Sequence, residues 1–279
     1  MKYHTSTLRL LLLAVSPLLT DCSMTADKKA AQPMALAETS TIAPKGKGAP
    51  AKAAPAKPGD EEVDEYATKA DIYDPLQGVN RAFFFLNDKL YTLVLRPIAK
   101  GYNFILPRPV RKGIDNAFEN AKYPVRVVNC TLQGKFKRAG QETAKFAVNT
   151  VGGVVGIFRP AEKIPSLANL PDEDTGQTLA KWGIPHGAYI VLPVLGPCSV
   201  RDAVGLAGDY ALNPVNWPYL YWYGSRSKHD WTIAPPSANT LRTIPTQIDR
   251  YDTITKDAVD PYLSARSAYA QNRDEAAKK

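Results

Sequence analysis

From residue 71 onward, apolar residues recur at helical spacing. Phe83, Leu86, Leu90 and Leu93 follow i, i+3, i+7 and i+10, and Asn87, Asp88 and Lys89 interrupt the run. Val110, Ile114, Ala117 and Phe118 make a second apolar face. The stretch Gln141 to Phe158 carries a third, through Phe146, Ala147, Thr150, Val151, Val154, Val155 and Phe158. Gly152, Gly153 and Gly156 lie within or beside that face. Glycine weakens a water-exposed helix by about 1 kcal/mol, yet suits close backbone packing in a membrane. The glycine-rich end therefore has two readings: an apolar end within a hydrocarbon layer, or a helix that stops near Gly152 and turns. A final long helix is expected over Thr246 to Val259, with Ile248, Tyr251, Ile254 and Ala258 inward. A short last helix follows Asp260-Pro261-Tyr262.

Between these segments the pattern changes. Pro185, Gly187, Pro193, Gly196 and Pro197 punctuate Ile184 to Val204. That spacing predicts loop, with a short strand at Ala188 to Leu192. Asn213 to Tyr223 is aromatic-rich (Trp217, Tyr219, Tyr221, Trp222, Tyr223), which suits either a membrane–water interface or packing on the core. No run is long enough to be a transmembrane helix. Residues 71–271 form one expected domain, and the charged residues 272–279 are expected to fray.

The first seventy residues have a different character. Residues 1–21 read as an export signal, with Lys2 and Arg9 before the apolar run Leu10 to Leu19. Leu19-Thr20-Asp21-Cys22 then resembles a bacterial lipobox, which marks Cys22 for lipid attachment; Asp21 stands where a small neutral residue is usual. Residues 22–70 hold an Ala/Pro/Lys stretch that buries too little apolar surface to order itself, so a disordered tether is expected.

Composition narrows the function. The chain of 279 residues has a formal charge of +8, and hydrophobic residues make up 44% of it. Export argues against a nucleic-acid partner, which leaves an anionic lipid surface or an acidic partner as the natural reading of the charge. A solvated basic tail is the duller alternative reading. If Cys22 carries lipid, Cys130 and Cys198 remain, either paired in an oxidising compartment or buried as free thiols.

Reactive constellations are sparse. His186 and His229 are the histidines of the mature chain, and HExxH, CxxC, HxH, GxSxG, P-loop and GxGxxG patterns are all missing. His229-Asp230 beside a serine is a chance-level triad. Asp172, Glu173 and Asp174 read either as paired acids or as a polar loop capping the next helix. The chain looks built to bind or conduct rather than to transform, and no catalytic residue, metal or cofactor is expected.

The stretch Asp74-Pro75-Leu76-Gln77-Gly78-Val79-Asn80-Arg81 resembles the opening of the VacJ-like (MlaA) family of outer-membrane phospholipid-transport lipoproteins. Arg96-Pro97-Ile98-Ala99-Lys100-Gly101-Tyr102 follows, then Asn116, Asn120, Asn129, and Leu132-Gln133-Gly134. Asn149-Thr150 with Gly152-Gly153 and Gly156 comes next, then Asp172 to Gly183, Gly187 to Asp202, and Asp260-Pro261-Tyr262 with Arg266 and Tyr269. Each piece is weak alone, but their order over residues 71 to 270 is specific. Leu86, Tyr91 and Arg159 depart from the family pattern, which more usually has Phe, Asp and Asp there.

The resemblance implies an all-α fold: a ring-shaped bundle of amphipathic helices lying in one membrane leaflet around a central channel. It implies passage of mislocalised phospholipids from the outer leaflet toward the periplasm. The implied partners are a trimeric outer-membrane porin and a soluble periplasmic lipid carrier that feeds an inner-membrane ATP-driven transporter. On that reading Lys181, Arg201 and Asp202 are candidates for channel or headgroup contact, against the plainer reading that each is a surface or structural charge. Asn80, Arg81 and Asn87 belong to the helix expected to govern channel opening; Asn80 and Arg81 read better as anchors of that helix, and Asn87 as the residue that sets the opening. Two other classes remain: a porin-bound scaffold lipoprotein without transport activity, and an envelope hydrolase for which no residue stands out.

Overall fold

The computed structural model describes residues 72–222 and 230–279; the signal, Cys22, the tether and His229 lie outside them. The architecture is helical. Helix α1 (Gln77–Leu90) runs through a π turn (Tyr91–Leu95) into α2 (Arg96–Ile105). Pro97 has no N–H to continue the α-helical ladder, and the wider turn falls just before it. Helices α3 (Arg108–Ala121) and α4 (Tyr123–Leu132) each carry proline in the first turn, where its missing N–H costs nothing. Gly134, at φ +76°, makes the tight reversal from α4 into α5 (Phe136–Val151).

The 3₁₀ turn Pro160–Lys163 and the short α6 (Pro165–Ala168) follow, then α7 (Thr175–Lys181). Strands β1 (Tyr189–Leu192) and β2 (Gly196–Ser199) pair antiparallel, Tyr189 opposite Ser199 and Leu192 opposite Gly196. Helix α8 (Val200–Leu212) leads into the aromatic segment, then come α9 (Ala234–Thr255) and α10 (Pro261–Lys278). Side-chain caps start three of these helices: Asp174 accepts from Gln177 N, Ser199 from Asp202 N, and Asp260 from Tyr262 N and Leu263 N.

Burial inverts the usual rule. Among the described residues, 22 polar or charged side chains are buried against 19 apolar ones, while 28 large apolar side chains are exposed. Helix α3 shows the reversal: it buries Asn116 and Asn120 and leaves Val110 outside. The apolar cores are small. One gathers Tyr189, Tyr262 and Tyr269 around β1; the other packs Tyr91, Leu95 and Ala99 on Ile244 and Ile248 of α9.

Two expectations change, and one of two open readings holds. Helix α9 begins at Ala234 rather than Thr246, because Pro245 sits inside the helix instead of at its first turn. The glycine-rich end takes the second of its two readings: the helix stops at Val151, and residues 152–158 turn with Val154 and Val155 at positive φ (54° and 58°). Residues 272–279 do not fray: α10 runs to Lys278, and Arg273 within it is buried against two carboxylates.

Candidate functional site

A cavity of about 430 Å³ lies among α3, α4, α5, α7, α9 and α10. Its wall is charged, with Lys122, Arg126, Lys145, Arg159, Arg242, Arg250 and Lys279 facing Asp115, Glu119, Glu162, Asp172 and Glu275. Seven cations against five acids leave the lining cationic. Asp115, Glu119, Lys122 and Arg126 recur at i, i+4, i+7 and i+11, a polar stripe running from α3 into α4.

The glycine-rich turn after α5 completes one wall. Asn116 Nδ2 donates to Ile157 O (2.9 Å), Asn120 Nδ2 to Thr150 Oγ1 (2.9 Å), and Ala161 N to Asn149 Oδ1 (3.1 Å). Gly156 sits at φ +90°, and a Cβ there would fall 2.5 Å from that of Asn120, so only glycine fits. The turn delivers Arg159 to the cavity, where it pairs with Glu162 at 3.0 Å.

Most of these charges hold one another. Arg126 Nε donates to Glu142 (2.8 Å) and its Nη1 to the carbonyl of Glu119 (2.9 Å). Arg242 bridges Glu119 (2.9 Å) and Asp115 (3.4 Å) and lies 5.0 Å from the Phe118 ring centroid. Such desolvated pairs add little net stability but are costly to break. The surroundings move proton affinities in both directions. Burial alone would raise the Glu119 carboxyl, but Lys122, Arg242 and Arg126 hold it well below the usual range. Asp172 goes the other way. Its side chain keeps 51% of its surface yet is ringed by protein, and that desolvation outweighs Arg126 and pushes its carboxyl up. Burial lowers both the Lys145 ammonium and the Arg250 guanidinium.

The residues expected to contact headgroups lie elsewhere. Lys181 is exposed at the end of α7, away from the cavity wall. Arg201 and Asp202 are buried in a tie between helices: Arg201 Nε meets Asp202 at 3.0 Å, Arg273 spans Asp202 and Asp174, and the Tyr269 hydroxyl donates to Asp202. Arg201 Nη2 also meets His186, whose other nitrogen pairs with Asp274. Where α7 and α8 touch at Gly176 and Gly205, Arg201 and Asp202 keep only 4% and 8% of their side-chain surface and are paired, which favours a structural role.

Asn80 is buried and joins α1 to β1, donating to Tyr189 O (3.0 Å) and accepting from Val191 N (2.9 Å). Arg81 pairs with Asp260 (2.8 Å) and lies over the Tyr262 ring. Asn87 grips the hairpin turn, donating to Leu192 O (2.9 Å) and accepting from Val194 N (2.7 Å), where Val194 has φ +72°. Of the acidic triplet, Asp174 caps α7, Glu173 is buried on Gln133 and Lys135, and Asp172 alone faces the cavity. Cys130 and Cys198 are free, buried thiols.

The outer surface complements this interior. Phe104 is 91% exposed, Val151 86% and Phe158 64%; Leu93, Ile105, Val155 and Tyr221 are exposed as well. Among the described residues, no helix is long and apolar enough to cross a membrane.

Known proteins are similar to this chain in sequence and fold. A solved structure, reported as the structural basis for maintenance of bacterial outer membrane lipid asymmetry, superposes with a TM-score of 0.61 at 30% identity, covering 74% of this chain and all of the other. The intermembrane phospholipid transport system lipoproteins MlaA of Shigella flexneri and Escherichia coli are 32% and 30% identical, each over 72% of this chain and 77% of their own length. An uncharacterised protein of Rickettsia prowazekii is 31% identical over 73% of this chain and 78% of its own length. The model of the MlaA lipoprotein family matches residues 72–276, which is the whole described domain from its first residue to the last turn of α10, and the chain belongs to that family.

Proposed function

We propose that this chain is the outer-membrane lipoprotein of an intermembrane phospholipid transport system. It maintains lipid asymmetry by passing mislocalised phospholipids from the outer leaflet toward the periplasm. One observation carries the reading: a charged cavity enclosed by helices whose outward faces are apolar. A phospholipid moving between leaflets must take an ionic headgroup past hydrocarbon, where a bare charge costs several kcal/mol. A hydrated, charge-lined passage removes most of that cost. The apolar outside lets the domain lie in one leaflet as a ring without spanning the bilayer.

On this proposal Cys22 carries the lipid anchor and the tether leads to the membrane-embedded domain. The cavity is part of the conduit. Asn87, which holds the hairpin turn against α1, sets how far that turn stands from α9. The lining charges offer no energy source, so a soluble periplasmic lipid carrier must draw the lipid onward. A trimeric porin is the proposed membrane neighbour of the apolar face.

The test is phospholipid exposed at the surface of cells lacking the chain, measured with a reagent that modifies only outer-leaflet lipid. Surface phospholipid should rise, and the intact gene should restore it while Cys22→Ala does not. An unchanged surface in the deletion strain would sink the proposal. Transfer by the purified chain in porin-free vesicles separates a conduit from a scaffold that only holds the porin.

A further inference from the structure

A second, smaller pocket adjoins the charged cavity. It measures about 70 Å³ and is lined by apolar groups of α1, the hairpin and α9, among them Phe84, Leu195, Tyr251 and Ile254. Gln247 and Arg250 of α9 line both spaces. The reason is helical geometry. Thr243, Gln247, Arg250 and Ile254 recur at i, i+4, i+7 and i+11, so they form one stripe on α9 about 16 Å long. Along it the surface passes from hydroxyl and amide, through a guanidinium, to hydrocarbon. The apolar end is preformed. Tyr91 Oη donates to Val194 O (3.2 Å) and Tyr251 Oη to Asp88 (2.9 Å), which pins two aromatic walls.

We infer that this stripe is a bipartite phospholipid site, in which Arg250 takes the phosphodiester at the edge of the charged cavity and the pocket beside Ile254 takes the first methylenes of one acyl chain. The inference rests on the conduit proposed above and names its substrate-contacting residues. A planar guanidinium matches a phosphodiester with two parallel hydrogen bonds. Its burial disfavours its own charge, and a bound anion relieves that cost. The cationic excess of the cavity wall selects the same sign of ligand. An uncharged lipid could fill the pocket but would bring no negative charge to Arg250; a free phosphate could meet Arg250 but would leave the pocket empty.

The experiment uses the full-length lipoprotein in phosphatidylcholine vesicles doped with phosphatidylethanolamine that carries a photoreactive group at the ester end of one acyl chain. Labelled peptides are then read by mass spectrometry. The label should fall on peptides holding Leu195 or Ile254. Arg250→Gln should lower it about tenfold, the loss of one charge-assisted contact. Ile254→Trp, which fills the pocket, should remove it at that position. Arg250→Lys, which keeps the charge without the fork, should lie between, so that loss of folding in one variant does not decide the result. Excess unlabelled phosphatidylethanolamine should displace the label, whereas inorganic phosphate and diacylglycerol should not. Displacement by phosphate alone, equal displacement by diacylglycerol, or label confined to outward residues such as Phe104 overturns the site. If surface phospholipid rises in the deletion strain and both Arg250→Gln and Ile254→Trp restore it, the site falls and the conduit stands. If the deletion strain is unaltered, it is the conduit that falls.

Discussion

Replacing Arg273 with methionine keeps most of the side-chain volume and removes the guanidinium that ties α10 to α7 and α8. That group makes four close contacts: Nη1 and Nη2 to Asp174 at 2.7 and 3.0 Å, and Nη2 and Nε to Asp202 at 3.1 and 2.7 Å. The three side chains are 9%, 18% and 8% exposed, so the variant leaves two carboxylates short of a partner with little water to replace it. Breaking a buried ion pair costs about 3–5 kcal/mol. Asp202 keeps Arg201 and the Tyr269 hydroxyl, and Asp174 is partly wetted, which points to the lower end, about 3 kcal/mol. For a domain of this size about 1 kcal/mol moves the melting temperature by about 2–4 °C, so a fall of about 6–12 °C is expected by circular dichroism at pH 7. The dependence on pH is part of the prediction. Burial would raise the Asp202 carboxyl, but Arg273, Tyr269 and Arg201 outweigh it and hold it low. A depressed acid contributes stability that is fully present above its unfolded pKa of about 3.9 and is lost as pH falls through the folded value. The gap between wild type and variant should therefore be full at neutral pH and narrow once the pH drops below about 4. An equal gap on both sides of that window, or none at neutral pH, would refute the assignment of Asp202 as a structural rather than conducting charge.

Gly205→Ala should destabilise by about 1–3 kcal/mol, because its Cβ would lie 2.5 Å from Gly176 N where α7 and α8 cross; a chemical-denaturation midpoint like that of wild type would contradict the close contact. Phe158→Asp, made in a Cys22→Ala background so that no lipid anchor holds the chain, puts a charge on the apolar outer face, and a larger share should leave membranes in carbonate extraction than with Cys22→Ala alone; equal retention would mean that this face meets water. Cys130 and Cys198 should resist a thiol reagent in the folded protein and react only on unfolding, since both are fully buried and burial pushes the Cys130 thiol up to about 11; mass spectrometry that finds a native disulfide between them would contradict the free thiols.

How much was legible beforehand varied with the reach of the signal. The strand at Tyr189–Leu192 was readable because proline and glycine punctuation is local. Asp174 as the cap of α7 was one of two readings of an acidic loop, and only the fold separated it from Asp172, which faces the cavity two residues earlier. Helix α9 starts at Ala234, ahead of the expected Thr246, with Pro245 inside it, and tolerance of a proline inside a helix depends on what packs around it. Arg201 and Asp202 were read as candidate headgroup contacts by their charge, but Arg273, which pairs with Asp202, lies far along the chain, in a tail expected to fray.

By itself the sequence determined most of the helical periods, the proline- and glycine-marked turns and the ordered set of short motifs that marks the family, and it carries the expectation of an exported start. These rest on neighbours within a few residues or on order along the chain. It could not say which face of each helix turns inward. An amphipathic helix has the same pattern whether water or hydrocarbon surrounds it, and the usual rule would have buried Val110 and exposed Asn116 and Asn120. The tertiary structure decided the reverse, because the asparagines find backbone and side-chain partners from other helices while the valine finds none. It also decided the cavity, whose wall joins Asp115 to Arg242 across stretches of chain that share no local signal, since long-range ion pairs form only after folding has brought their elements together.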